Sequence, residues 1–531
     1  MDKHNRHLLI VLAAVALLVG SLCLRVFRLL EVVLPDNATA VGRAAKMHPD
    51  YSDTVIPPNI APLNFVIEER GSRYFVQVRA DHGRAIRVLS RSGVIAIPGK
   101  SWHELLAANR GKGLVFELFV QTDSTDGGRR WQQFDAVHCT VANEEIDPYL
   151  VYRRIHPVHA AHRDMGIYQR DLAGFGESTV LTGAYLTEGC VNCHTFCNNR
   201  TDRMLISTRT PKYTNAAIIV ENGTARKVGA TFGYASWHPS GKIIVYSMNA
   251  GKVVLFHHAV SEESRDVMDL DSLIAYYVVG SQTIKTAPDL SRKDRLETYP
   301  TWSPDGRFLY FCSAPLTWTD RTAIPPEYKE VRYDLMRIAY DPDKDEWGPL
   351  ETVLSARDTG RSILLPRISP DGRWLLFCMC EYGCFPVYQK SSDLYMIDLE
   401  AAKQTGRVEY RRLDVNSDES ESWHSWSSNG RWIAFSSKRG SGVFTRTYLS
   451  YVDSDGTAHK PLLLPQKDPT HYDSCLWTYS VPELVTSPVQ VTKESLGRVV
   501  RSSDKITVQI PVTTATPKAG PVAEPYMSTR E

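Results

Sequence analysis

The chain of 531 residues has no excess charge of one sign: Lys and Arg number 61, Asp and Glu 60, and the net charge is +1. A chain so balanced lacks the field that gathers nucleic acid, so no nucleic-acid partner is expected. It holds no complete phosphate loop and no G-x-G-x-x-G. Gly99-Lys100-Ser101 has the last letters of a phosphate loop, but the motif needs glycine where Val94 stands, so no nucleotide is expected. A G-x-S-x-G elbow and H-E-x-x-H are also missing, which removes two large hydrolase classes.

Long apolar runs are scarce. The one that exists covers residues 8–24 (LLIVLAAVALLVGSLCL), after the polar start MDKHNRH. As helix it spans about 25 Å, the short end for crossing a bilayer. A signal peptide would be cut at a small-x-small site just after the run. Arg25, Val26, Phe27 and Arg28 stand there instead, so residues 1–34 are expected to form an uncleaved single-pass anchor, with a cleaved signal as the alternative.

What is present is an ordinary globular balance, 43% hydrophobic and 23% charged, with 25 Tyr, 11 Trp, 30 Pro and 33 Gly. Aromatics favour strands, while Pro and Gly favour turns, so the class expected is all-β. Residues 35–60 read as a polar spacer. Residues 61–150 hold strand-like runs at 64–68, 74–79, 86–89, 93–97, 113–121 and 131–141, separated by turn residues. A small β-sandwich is expected there, with one short helical turn at Trp102-His103-Glu104-Leu105-Leu106. Residues 151–189, with His156, His159 and His162 spaced three apart, read as a connector. Residues 485–531 read as an extended or disordered tail.

Between these lies a repeat. YASWHPSGKIIVYS (234–247), YPTWSPDGRFLYFCS (299–313), LPRISPDGRWLLFCM (365–379) and WHSWSSNGRWIAFSS (423–437) share one form: a short strand, a turn, an apolar strand. Proline fixes φ in the turn, Asp bonds back to the backbone, and Gly takes the left-handed position. The anchors Trp237, Trp302, Ile368 and Trp426 are 65, 66 and 58 residues apart. Strands repeated in this way fit a propeller. W-S-P-D-G followed by an apolar strand resembles the TolB-type, WD40-like (PD40) repeat. The resemblance covers about residues 190–470 and implies a propeller but no chemistry; counting the repeats gives five blades, or six with a degenerate one, over 190–484.

The chemical signal is Cys190-Val191-Asn192-Cys193-His194, a C-x-x-C-H sequence. In an exported protein this attaches c-type haem: each thiol adds to one vinyl group, and the imidazole reaches the iron. His194 is therefore the expected proximal ligand. His424, at the matching place in the last clear repeat, is the first choice for the distal side. Met204, His159, His162 and Met165 are further choices, whereas His238 sits in a turn. Other readings of the pair stay open: a disulfide, a redox dithiol, or a zinc site completed by Cys197. Elsewhere, Cys380 and Cys384 are placed to pair, while Cys312 and Cys378 look like buried small residues.

Together these features resemble a group of bacterial envelope proteins. The expected function is a membrane-anchored haem c protein at the bacterial inner membrane, its body in the periplasm, exchanging electrons with a docked redox partner. The alternative is a non-redox scaffold that recognises an envelope protein or glycan. A third reading is an enzyme with an open-coordinate haem.

Overall fold

The computed structural model describes Pro35 and residues 37–123, 128–156, 163–255 and 265–508. Most of it is β. Six four-stranded antiparallel sheets follow one another along the chain. The first blade is Cys190–Cys197, Arg200–Arg209, Ala216–Glu221 and Thr224–Val228. The second opens on Ala235–Trp237, the third on Arg295–Trp302, the fourth on Ser362–Ile368 and the fifth on Glu421–Trp426. Each opening strand touches that of the next blade, and Thr478–Val485 touches both the fifth and the first. The ring is closed, and the fold is a six-bladed β-propeller.

The closing blade joins the two ends of the ring. Its inner strand, Thr478–Val485, comes from the C-terminal side, and its outer three are Tyr149–Ile155, Gly166–Asp171 and Glu177–Thr182. Radial closure of this kind leaves only the short edges of each four-stranded blade. No turn of the S-P-D-G type marks this blade, so the expected connector at 151–189 turns out to carry three of its strands.

The turns behave as their sequence dictates. Gly241, Gly306, Gly372 and Gly430 all take left-handed φ, between 67° and 79°. In the third blade the turn is also tight: a Cβ at position 306 would lie 2.3 Å from His238 Nε2, which meets the Gly306 carbonyl at 3.1 Å. Gly372, by contrast, has nothing within 4 Å. Gly372→Ala should cost about 1–2 kcal/mol, the strain of left-handed φ alone. Gly306→Ala should cost more, because His238 must also move. Urea midpoints of the two variants check this ranking.

Ahead of the ring lies a seven-stranded sheet with a three-stranded one. The expected short helical turn is a helix, Gly99–Ala108, that buries Trp102, Leu105 and Leu106. The expected run 131–141 is two strands, Arg129–Asp135 and Val137–Val141. The expected spacer is folded: Thr39–Ala44 and Thr54–Ile56 pair parallel to these two strands. The core of this unit is continuous with the fifth blade through Trp432, Leu449 and Leu462. Trp432 is fully buried, and its Nε1 donates to the Glu144 carbonyl at 3.1 Å. The expected tail is structured as far as 508: the helix Lys493–Arg501 packs on the first and closing blades, and Ile506 bridges Val228.

The membrane expectation is corrected. Among the described residues no helix is long and apolar enough to cross a membrane. The apolar run 8–24, on which the inner-membrane placement rested, lies outside the described residues. Cys380 and Cys384 are unpaired. The Cys380 thiol faces the Tyr382 carbonyl at 3.3 Å and the Cys384 thiol the Val267 carbonyl at 3.4 Å, so each is held by backbone instead.

Candidate functional site in the propeller channel

A kink in the inner strands builds the site. In five blades the inner strand slips register against its neighbour, at 191–194, 298–301, 364–367, 422–425 and 480–483. Two inner residues then oppose one partner residue, which bends the strand. Residues of these bulges and the start of the second blade's inner strand meet in one pocket. It is lined by Cys193 and His194, Tyr234 and Ala235, Tyr299 and Pro300, Leu365 with Pro366 and Arg367, Trp423 and His424, and Val481 and Pro482.

The bulges are strained. Tyr299, Leu365, Trp423 and Val481 take φ of 53°, 55°, 45° and 51°. Each such residue costs on the order of 1–3 kcal/mol, a cost that clusters at functional sites. In three of the four, proline follows, which further restricts the backbone before it.

The pocket encloses about 540 Å3 of space, part of it open to solvent; room for water-sized molecules is about 50 Å3. That is a few waters' worth.

His194 is 3% exposed, and neither ring nitrogen has a hydrogen-bond partner. Burial holds its pKa down to about 3, so the ring is neutral near pH 7; Arg153 and Arg367 add to the effect. The Val151 carbonyl is near enough to oppose this shift, without hydrogen-bond geometry. A buried polar group left unpaired costs about 1–3 kcal/mol, and a native orphan asks for an explanation. Cys193 beside it is unpaired, and burial raises its pKa. Cys190, also unpaired, lies outside the pocket wall with its sulfur 3.3 Å from Arg153 Nη2. Arg153 Nε donates to the Val191 carbonyl at 3.0 Å, so the closing blade holds the motif strand in place.

His424 shares the pocket but is differently engaged. Its Nε2 lies 3.2 Å from the Leu376 carbonyl, and Nδ1 lies 3.7 Å from Cys378 Sγ. Burial also lowers its pKa to about 3. The other ligand choices fall elsewhere. Met204 packs within the first blade and Met165 is buried outside the pocket. His238 is tied to Ser240 and Gly306 in its turn. His159 and His162 lie outside the described residues. Among the described residues no three His, Cys, Asp or Glu side chains converge as a metal site, and the Cys197 thiol faces the His238 carbonyl at 3.7 Å. The zinc alternative therefore has no assembled ligand set.

Several pocket residues carried no sequence signal of their own. Tyr234 and Tyr299 lie with ring centroids 4.2 Å apart, and Trp423 lies 5.7 Å and 6.1 Å from them. Tyr299 donates to the Cys384 carbonyl at 2.7 Å. Arg367 bonds Glu483 at 2.6 Å. Burial raises the pKa of Glu483, and Arg367 opposes the rise. Tyr234, Tyr299 and Trp423 share one position, three residues before the repeat's anchor, and that is the one signal that marks them.

No family model matches the chain. No curated protein matches it either. Solved structures do. Puromycin hydrolase matches at 13% identity and TM-score 0.34, over 59% of this chain and 45% of that one. Kuenenia stuttgartiensis hydrazine synthase matches at 14% and 0.31, over 51% and 65%. Oligogalacturonate lyase from Vibrio parahaemolyticus matches at 14% and 0.31, over 73% and 100%. The chain spans less than two thirds of the first two. At these scores the propeller assignment rests on the closed strand order of this chain itself.

Proposed function

We propose that this chain is a covalent haem c protein that exchanges electrons with a redox partner docked at the channel mouth, on a propeller of the TolB type. The observation that carries the reading is the buried His194 imidazole, with both nitrogens unpartnered, one residue from an unpaired thiol and four from another. On this reading Cys190 and Cys193 would hold the haem covalently and His194 would bind its iron. Bound haem supplies one-electron chemistry. The chain's own residues do the rest. Tyr234, Tyr299 and Trp423 present an aromatic wall to the group and exclude water. Arg367, neutralised in part by Glu483, and Arg153 put positive charge beside it.

The test is to express the full chain with haem-attachment machinery. A Soret band that survives acid-acetone extraction, with one porphyrin added to the intact mass, is the expected result. A colourless product defeats the reading. The same aromatic wall would then serve a scaffold that binds a protein or glycan segment.

A further inference from the structure

A second cluster of reactive groups lies outside the channel pocket, where the chain leaves the fifth blade for the closing one. We propose that Cys475, with His471, Tyr479 and Arg446, forms a nucleophilic thiol site that takes up small-molecule disulfides as mixed disulfides. The site is independent of the haem reading.

A turn of helix, His471–Ser474, ends on Cys475, and the inner strand Thr478–Val485 begins just beyond it. This short segment folds around one hydroxyl. Tyr479 Oη lies 3.2 Å from His471 Nε2 and 3.9 Å from Cys475 Sγ. When the sulfur is ionised, the hydroxyl donates to it and accepts from the His471 N–H, so imidazole, phenol and thiolate form one chain. Cys475 is half-buried, whereas Cys312, Cys378, Cys380 and Cys384 are buried. A reactive thiol needs that access.

Arg446 supplies the charge. It is 5% exposed, and its guanidinium donates to the carbonyls of Cys475 at 2.6 Å, Tyr472 at 3.1 Å and Trp477. Every partner it has among the described residues is a carbonyl or an aromatic ring, so none neutralises it. Buried charges are ordinarily paired. A thiolate at Cys475 provides the counter-charge. Burial pushes the Cys475 thiol up, but hydrogen bonding from His471 and the Trp477 backbone N–H, with the charges of Arg446 and His471, outweighs it, and the net shift is downward. Tyr472 also faces the sulfur, Asp468 faces His471, and Glu177 faces Tyr479. The four buried ring thiols are pushed up by burial instead.

The step is a disulfide exchange. The Cys475 thiolate attacks one sulfur of the disulfide, a new S–S bond forms, the old one breaks, and the other half leaves as a thiolate. The Cys475 sulfur is oxidised and the leaving half is reduced. The proton that Cys475 gives up is matched by the one the leaving thiolate takes up. Among the described residues no other thiol bears on Cys475, so the mixed disulfide has no internal thiol to resolve it.

The experiment uses the full-length chain. It is pulsed with iodoacetamide from about pH 6 to pH 9, the range that brackets an ordinary thiol, then digested, and the Cys475 peptide is quantified by mass. Alkylation of Cys475 should reach half its maximum at least about one unit below the ordinary value of about 8.5, which raises its thiolate fraction at pH 7 about eightfold. Cys312 should stay unlabelled, which shows that the chain remained folded. Glutathione disulfide at pH 7 should add one glutathionyl group to the Cys475 peptide, and dithiothreitol should remove it. His471→Gln and Tyr479→Phe should each move the midpoint back up toward about 8.5. In the unaltered chain, a midpoint above about 7.5 overturns the proposal, as does the absence of the mixed disulfide. If the variants keep Cys312 unlabelled and neither moves the midpoint, the cluster does not activate the sulfur and the proposal also falls. Should a variant expose Cys312, the profile of the unaltered chain decides alone.

Discussion

If the haem reading holds, replacing Cys190 and Cys193 together by alanine should abolish covalent haem completely while leaving the fold intact. The strand that carries them is held by backbone pairing with Arg200–Arg209, and its packing comes from Val191 and its neighbours. Neither sulfur bridges another cysteine. Losing Cys190 removes the contact with Arg153, whose Nε still holds the Val191 carbonyl. The expected stability change is within the range of about 0.5–3 kcal/mol typical of point changes. Matured wild type and double variant are compared by intact mass and by colour retained in the protein pellet after acid-acetone. Each single variant should keep one thioether. A double variant that stays coloured after extraction would show that the two thiols are not the attachment points.

The second large effect is a gain. In chain made without haem-attachment machinery, His194→Leu should raise stability by about 1–3 kcal/mol, the cost of the unpaired buried ring. Leucine fills nearly the same space without polar atoms. The gain should grow in acid. The folded-state pKa of His194 is about 3, below the ordinary value of 6.5. Below pH 6.5 the unfolded chain therefore binds a proton that the folded chain refuses. The stability of the wild type is full above that value and is lost as pH falls toward 3, at about 1.4 kcal/mol per pH unit from this group. The leucine variant escapes that loss. Urea denaturation of both proteins at pH 7 and pH 5 should show the gap widening by about 2 kcal/mol. A variant less stable than wild type would mean that His194 is a satisfied core residue. Stabilisation at the expense of a binding group is the usual signature of a functional site.

The repeat was legible because its turn is made of residues with few alternatives. Pro, Asp and Gly at fixed offsets dictate the backbone locally, and Gly306 and Gly372 adopt the φ that their letters require. The C-x-x-C-H sequence was legible for the same reason: adjacency in the chain is its whole content. His424 stood out by its place in the repeat, and it does reach the pocket. Its bond to the Leu376 carbonyl depends on the fourth blade packing beside the fifth, and no pattern in the sequence reports that. The sixth blade was hidden because its inner strand and outer strands are about three hundred residues apart in the chain. The spacer and tail were misread for a related reason. Thr39–Ala44 and Ile506 are ordered by partners far away in the chain, which no local pattern reports.

The sequence alone determined that this chain is built of β repeats and that two thiols and an imidazole stand together within five residues. Both are local facts, set by dihedral preference and by covalent order. Only the tertiary structure decided that the ring closes at six blades and that the bulges of its inner strands converge on His194. It also decided that His424 is fastened into the wall while His194 is left unpaired. Those outcomes depend on which backbone groups find each other across the ring, a global balance of packing and hydrogen bonding that no single stretch of residues contains.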